Sequence, residues 1–564
     1  MMVRSTARFS RLVLVAPLGI KLRGRDERDI ADMHGIERAE YLRLAWAEPA
    51  KGEADYTALP DTELAAIVRG REAFALYGWK PYTHNPRLKR WQHRIDRPTL
   101  PCCGERKTAS SPLRMATACG RKFPTPGSTS FPRWDTFPIG NNRKNLSNAC
   151  RRSSTAATHS REEQMRVWYF SEMAYHPAWE EGLKRGSLRV VLPSANYDPK
   201  IGHQLLNRYL DEFRLCDEVG LDIMVNEHHS TSTCLTISVP MALAVIARET
   251  KRARLLSLGT PIANRPDPVR VAEEMAWLDV LSGGRLEMGL VKGAPYEIAP
   301  ANSNPANLMR RYWEAHDLIL KAMSTTDGPF SWEGEFFHYR NVNIWPRPYQ
   351  QPTPPVWMTG LSPETGRMAA ERGHVVGTLL SLSAAGPMFD AYRRRAQELG
   401  WTAGPDRFAY AGVVGVGTTR EEGLRRANLA ADYVRTSVVV AEPFTNPPGY
   451  NSLAANIAML KSGGKRGGFV RDRQGNPVDQ RTATIEQLIE SGTCFAGTPD
   501  DVYNQIKALN DSVGGFGNLL MFGQGGFLDH ADTVANITLF AKEVLPRLRE
   551  LNPTPARAKV VAAQ

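Results

Sequence analysis

Three short stretches of this sequence set reactive side chains beside turn-forming residues: "NEHH" (226–229), "LVKG" (290–293) and "MTGLSPET" (358–365). An imidazole such as that of His228 changes charge near neutral pH, so it can carry a proton in a reaction. A histidine hydrogen-bonded at the rim of a domain would look the same. No third metal ligand falls at a workable spacing, so no metal centre is expected. Lys292 is either a cation aimed at a site or a solvated one. Ser362 is a favourable N-cap and Pro363 suits the first helical position, which is sufficient reason for both. The free amides of such a helix start, with the hydroxyls of Ser362 and Thr365, also make an anion site, which a lysine one strand away would complete as a phosphate cradle.

Those stretches follow apolar segments that alternate with amphipathic ones from Arg166 onward. Strands are expected at "RVWYFSE", "DIMVNEHH", "RLLSLGTPI", "LEMGLVKG", "VWMTG", "HVVGTLL", "FAYAGVVGVG" and "NLLMFGQGG". Helices are expected at 203–218, 239–249, 268–281, 306–323, "SPETGRMAAERG", "MFDAYRRRAQELG", from Arg420, 499–512 and 531–550. Strict strand–helix alternation implies a parallel α/β fold, most simply a (β/α)8 TIM barrel with insertions, whose functional residues sit at the C-terminal ends of strands. An irregular insertion at about 436–494 reads as surface loop material able to cover that end. "GVVGVG" does not match a dinucleotide-binding fingerprint.

The chain has 564 residues and a formal charge of +12. All of that excess lies in residues 1–164, which carry 29 Lys+Arg against 17 Asp+Glu; the rest is balanced. A basic nucleic-acid-binding face is therefore not expected in the barrel region. No apolar run is long enough to span a bilayer, and the arginines before "LVLVAPLGI" lack a following small-residue cleavage site, so a cytoplasmic protein with no membrane partner is expected. Cys102, Cys103, Cys119 and Cys150 are four of seven cysteines, without zinc-ligand spacing. Residues 101–161 are thus a compositional outlier, rich in Arg, Ser, Thr and Pro.

Residues 8–100 resemble the lid and late core of an α/β-hydrolase, with "HRIDRPTL" leading into a strand. The serine elbow of that family, G-x-S-x-G, is absent. Read one frame over, suitable codons for "WDTFPIGNNRKNL" (134–146) spell GHFPHWEQPEKL, the hydrolase pattern around its histidine. "KTASSP" likewise hides DGIVT and "CCGE" hides LWGE. The expectation is an incomplete hydrolase remnant (1–100), an out-of-frame segment (101–164) produced by a frameshift near Leu100, and a barrel (165–564) with its own natural start at Met165. A genuine Arg/Ser-rich linker is the alternative.

The motifs "NEHH", "LGTPIANRPDPVRVAEE", "LDVLSGGRLEMGLVKG", "GLSPETGRMAAERG" and "GTPDDVYNQI" resemble, in order, the bacterial luciferase-like flavin-dependent monooxygenases. The resemblance covers about residues 166–551. It implies reduced FMN supplied by a separate flavin reductase, O2 as co-substrate, a flavin hydroperoxide, a small organic substrate and a homodimer formed through the barrel. His228 matches the catalytic histidine beside the reactive flavin edge. Ser362 and Thr365 match hydroxyls on the FMN phosphate, and Lys292 stands where luciferase has an arginine. Glu227, Thr260, Pro261, Gly360 and Leu361 complete the implied cofactor-binding set. Pro261–Ile262 matches a non-prolyl cis peptide that bulges against the flavin, and Val291 replaces a luciferase cysteine. The same resemblance also admits a deazaflavin-dependent oxidoreductase or a flavin-binding protein without turnover; a bifunctional hydrolase–monooxygenase lacks its serine.

Overall fold

In a computed structural model of the chain, residues 12–15, 26, 28, 31–80, 82–84, 99–102, 164–380, 382–463 and 478–551 are described. The chain divides into two compact units, Met1–Ser160 and Arg161–Gln564. Among the described residues no helix is long and apolar enough to cross a membrane.

In the first unit, strand Leu12–Val15 pairs in parallel with Thr99–Cys102, with Leu12 opposite Thr99. Both expected strands are therefore present. Helix Asp61–Gly78 buries Leu64, Val68 and Ala75 on one stripe and carries Asp61 and Glu63 in its first turn, where the helix dipole favours acids. The His34 ring packs against Phe74 and Trp79. The segment expected to be out of frame lies outside the described residues, apart from Pro101 and Cys102 in the second strand and Gln164 at the start of the next unit.

The second unit is a closed barrel of eight parallel strands: β1 (Arg166–Ser171), β2 (Asp222–Val225), β3 (Leu255–Pro261), β4 (Leu286–Val291), β5 (Val356–Thr359), β6 (Val375–Leu379), β7 (Phe408–Val416) and β8 (Asn518–Gln524). Each pairs with the next, and β8 returns to β1. The strands are apolar on both faces because both are covered; all nine residues of β7 are buried. Inside the barrel, Trp168 and Trp357 meet edge to face at 5.4 Å. Their indole N–H groups donate to Asn518 and Glu287, so neither buried donor is stranded.

The helices were legible because their starts are strongly signalled. Asp198, Asp267, Ser362 and Thr498 each cap a helix whose first residue is proline. Three expectations need correction. "DIMVNEHH" leaves the sheet at Val225, because its last residues turn to contact neighbouring loops, with His228 N bonded to Thr236 O. The insertion is not irregular throughout: it forms helices Leu453–Lys461 and Ile485–Glu490 and strand Cys494–Gly497. That strand pairs with the second half of β7, beyond the point where β6 has ended. The last helix is broken by a π segment at Phe540–Val544. An antiparallel hairpin, Phe330–Glu333 with His338–Val342, was not foreseen.

Candidate active site

The C-terminal ends of β1 to β6 converge on one mouth. A cleft at the opposite mouth, lined by Asp217, Asp222, Arg252 and Arg549 among others, is remote from it and holds mainly ion pairs and main-chain contacts.

His228 follows β2, and its side chain is 18% exposed. Its Nδ1 lies 2.7 Å from Glu297 Oε1. Glu297 comes from the loop after β4, which turns at Gly293 with φ +91°, a value that favours glycine. The second Glu297 oxygen accepts the Ala294 amide at 2.8 Å. Burial pushes the Glu297 carboxyl up, but the His228 imidazole and the Ala294 amide outweigh it and hold its pKa below the usual range. An ionised carboxylate only accepts, so Nδ1 carries the hydrogen and Nε2 is left to exchange protons. Nε2 faces Glu172 Oε2 at 4.0 Å, too far for a hydrogen bond. Glu172, just after β1, accepts instead from Asn226 at 2.8 Å. Tyr296 packs on His228, its hydroxyl 3.4 Å from Nδ1.

Glu227, an expected cofactor contact, is engaged within the protein. Its carboxylate accepts from Arg265 at 2.6 and 2.7 Å, from the Val239 amide, and meets His229 at 2.9 Å. Both oxygens are committed to holding the loop and the start of the next helix. The expected cis peptide also moves: it joins Leu258 and Gly259, not Pro261 and Ile262. There the β3–β4 pairing bulges and the backbone abuts Val291, since a Cβ on Gly259 would lie 2.3 Å from that side chain. Thr260 and Pro261 are buried beside it, and Thr260 Oγ1 has no partner among the described residues.

Lys292 follows β4. Continuing the β4–β5 register, in which Gly289 faces Trp357, sets it level with Gly360. Its ammonium lies 3.7 Å above the Tyr450 ring and donates to Tyr450 O at 3.2 Å. Among the described residues no carboxylate pairs with it, and burial lowers its pKa to about 8. Ser362 caps helix Pro363–Arg372; its hydroxyl accepts the Thr365 amide and lies 3.2 Å from Thr365 Oγ1. Gly360 must lack a side chain, because a Cβ there would lie 2.4 Å from Thr365 Oγ1. Leu361 is exposed beside them.

The insertion does reach this mouth. Tyr450 donates to Gly293 O at 2.8 Å, and Ser437 O accepts from Arg189. Glu172, Arg189, Tyr296, Glu297 and Tyr450 escaped the sequence reading. "APYE" directly after "LVKG" carried a usable signal for Glu297, a carboxylate one loop beyond a strand end; Arg189 and Tyr450 lie in loops without a pattern.

The sequence profile of the luciferase-like monooxygenase family matches residues 189–514, and the chain belongs to that family. An uncharacterised Sinorhizobium fredii protein, y4wF, is 31% identical over 36% of this chain and 63% of its own length. The oxygenase component of a flavin-dependent trigonelline monooxygenase from Acinetobacter baylyi is 28% identical over 31% of this chain and 49% of its own. The chain thus spans about half to under two thirds of these relatives. In fold it is similar to the oxygenating constituent of 3,6-diketocamphane monooxygenase from Pseudomonas putida, solved in complex with FMN (TM-score 0.52, 21% identity, 70% of this chain and all of that one).

Proposed function

We propose that the barrel is the oxygenase component of a two-component monooxygenase. It would take reduced FMN from a separate reductase, use O2, and oxygenate a small organic substrate. The observation that carries this reading is the His228–Glu297 pair set among buried polar atoms that lack partners among the described residues at the same strand ends: Thr260 Oγ1, Thr378 Oγ1 and both polar atoms of the Asn264 amide. Buried polar atoms without partners call for a ligand or water. The residues present suit FMN: Lys292, without a carboxylate, and the N-terminus of helix Pro363–Arg372 with Ser362 and Thr365 would hold its phosphate. Bound and reduced, the flavin supplies the electrons that activate O2. His228 moves a proton at Nε2 while Glu297 keeps the ring oriented. Tyr450 and the insertion exclude water from the mouth.

The test separates the two ends of the site. His228→Ala should leave FMN affinity nearly unchanged and lower product formed per reduced FMN by on the order of a hundredfold. Ser362→Ala should weaken FMN by about 1.5–3 kcal/mol, with coupling normal at saturating flavin. Titration with a deazaflavin runs alongside; a preference for it over FMN would reject the reading.

A homodimer fits one surface. Helices Val239–Glu249 and Pro268–Ser282 pack together and turn Met241, Val245, Trp277 and Val280 outward, each more than two fifths exposed. Residues 1–100 are proposed as a hydrolase remnant, joined to the barrel through an out-of-frame segment, 101–164, that a frameshift near Leu100 produced. Resequencing the gene at that codon tests this: a frame that stays as printed, with no hydrolase product on restoring it, rejects the idea.

A further inference from the structure

The mouth contains one strongly basic group to which the flavin-oxygenase reading gives no task. Arg189, in the loop after β1, is only 5% exposed. Its Nε donates to Ser437 O at 3.0 Å, and its guanidinium lies 4.2 Å over the Tyr296 ring. These two contacts fix the plane of the fork. Among the described residues its buried Nη1 has no partner, and no carboxylate forms an ion pair with it. Burying a guanidinium nitrogen that makes no hydrogen bond is costly, so such an arrangement persists where a ligand completes it.

Its surroundings say what kind of ligand. Glu297 is within electrostatic range, but its oxygens are taken by His228 and the Ala294 amide. Glu172 is also in range and accepts from Asn226. The Tyr433 hydroxyl, within electrostatic range of Arg189, is buried and partnerless, as is Ser232 Oγ, whose backbone amide bonds to the residue before Arg189. The groups without partners among the described residues are thus one nitrogen of a planar cation, Arg189 Nη1, and two hydroxyls able to donate. Tyr296 links them to the reacting centre, since its ring lies under the guanidinium and its hydroxyl lies beside His228 Nδ1.

We propose that Arg189 is the anchor for a carboxylate on the substrate, with Tyr433 as a second donor, so that this oxygenase acts on organic acids. A guanidinium matches a carboxylate in shape and charge, and a neutral carbonyl would accept from it without that charge assistance. The anchor sits one aromatic ring away from His228, so the oxygenated carbon lies within a small molecule's length of the carboxylate.

The proposal rests on the flavin-oxygenase reading, and the test keeps the two apart. The full chain, with and without oxidised FMN, is titrated calorimetrically with benzoate, nicotinate and hexanoate and with the corresponding neutral amides. At least one acid should bind about tenfold or more tighter than its amide, as expected for a charge-assisted pair. Arg189→Met should bring that ratio to near one and leave FMN affinity unchanged. Arg189→Lys, which keeps the charge and disturbs packing less, should retain part of it. An acid-to-amide ratio near one in the unmodified protein for every pair overturns the proposal, and so does a ratio that survives Arg189→Met. If Arg189→Met does not fold, the ratio in the unmodified chain decides alone. Loss of FMN binding with the acid preference intact would reject the flavin reading instead.

Discussion

At the scale of single residues, Lys292 offers the sharpest prediction. Burial lowers its folded pKa to about 8, so its charged form is disfavoured unless an anion meets it. A phosphate would favour that charge, so FMN binding takes up a proton once the lysine is neutral. FMN affinity should be flat below pH 8 and fall by up to about tenfold per pH unit above it, where each unit is worth about 1.4 kcal/mol. Lys292→Arg, always charged, should abolish the fall; a wild-type affinity flat to pH 10 would show that the ammonium does not meet the phosphate. Glu297→Gln tests orientation. The amide keeps the size but can donate as well as accept, so it no longer fixes which ring nitrogen carries the hydrogen, and turnover should fall while FMN affinity stays. Of these residues, His228, Lys292, Ser362 and Thr365 were legible because each stands just after a strand or in the first turn of a helix. Glu297 was not singled out, because its role depends on a loop folding back across the mouth.

At the scale of elements, the barrel's outer layer carries a buried histidine pair that the catalytic site does not use. His316, on helix Leu308–Ser324, and His374, just before β6, meet Nε2 to Nε2 at 2.9 Å. Burial, then His316, then Arg372 and Arg407, push the His374 pKa well below its ordinary value. A base with a depressed folded pKa binds fewer protons in the native state than in the unfolded one. Its contribution is complete above about pH 6.5 and is lost as pH falls through that value toward the folded pKa, by at most about 1.4 kcal/mol per unit. Denaturant midpoints should therefore drop between pH 6.5 and 5, and His374→Asn should flatten the slope. Equal slopes in both proteins would reject this account. Element identity was readable here because caps, prolines and apolar periods agree at nearly every helix. What was not readable came from partners distant in sequence: the ninth strand, Cys494–Gly497, is a strand only because β7 outlasts β6.

At the scale of the whole molecule, the two units predict independent behaviour. A chain beginning at Met165 should fold and bind FMN as the full chain does; a large loss of affinity would move the boundary. Trp277→Glu should convert a sedimenting dimer into a monomer without changing FMN affinity, and an unaltered sedimentation coefficient would exclude that face as the interface. The split was visible in the sequence through charge, since the entire positive excess lies before residue 165. The join between β7 and strand Cys494–Gly497 has a further implication for engineering. The insertion leaves the barrel after helix Arg420–Thr436 and returns along a main-chain ladder that starts at Val413 and Cys494. Its exit and re-entry are thus set by the scaffold, independent of the length of chain between them. That makes the part of the insertion around Tyr450, which meets the turn at Gly293, an exchangeable cassette: other sequences grafted there should leave the melting temperature nearly unchanged while altering which substrates are accepted.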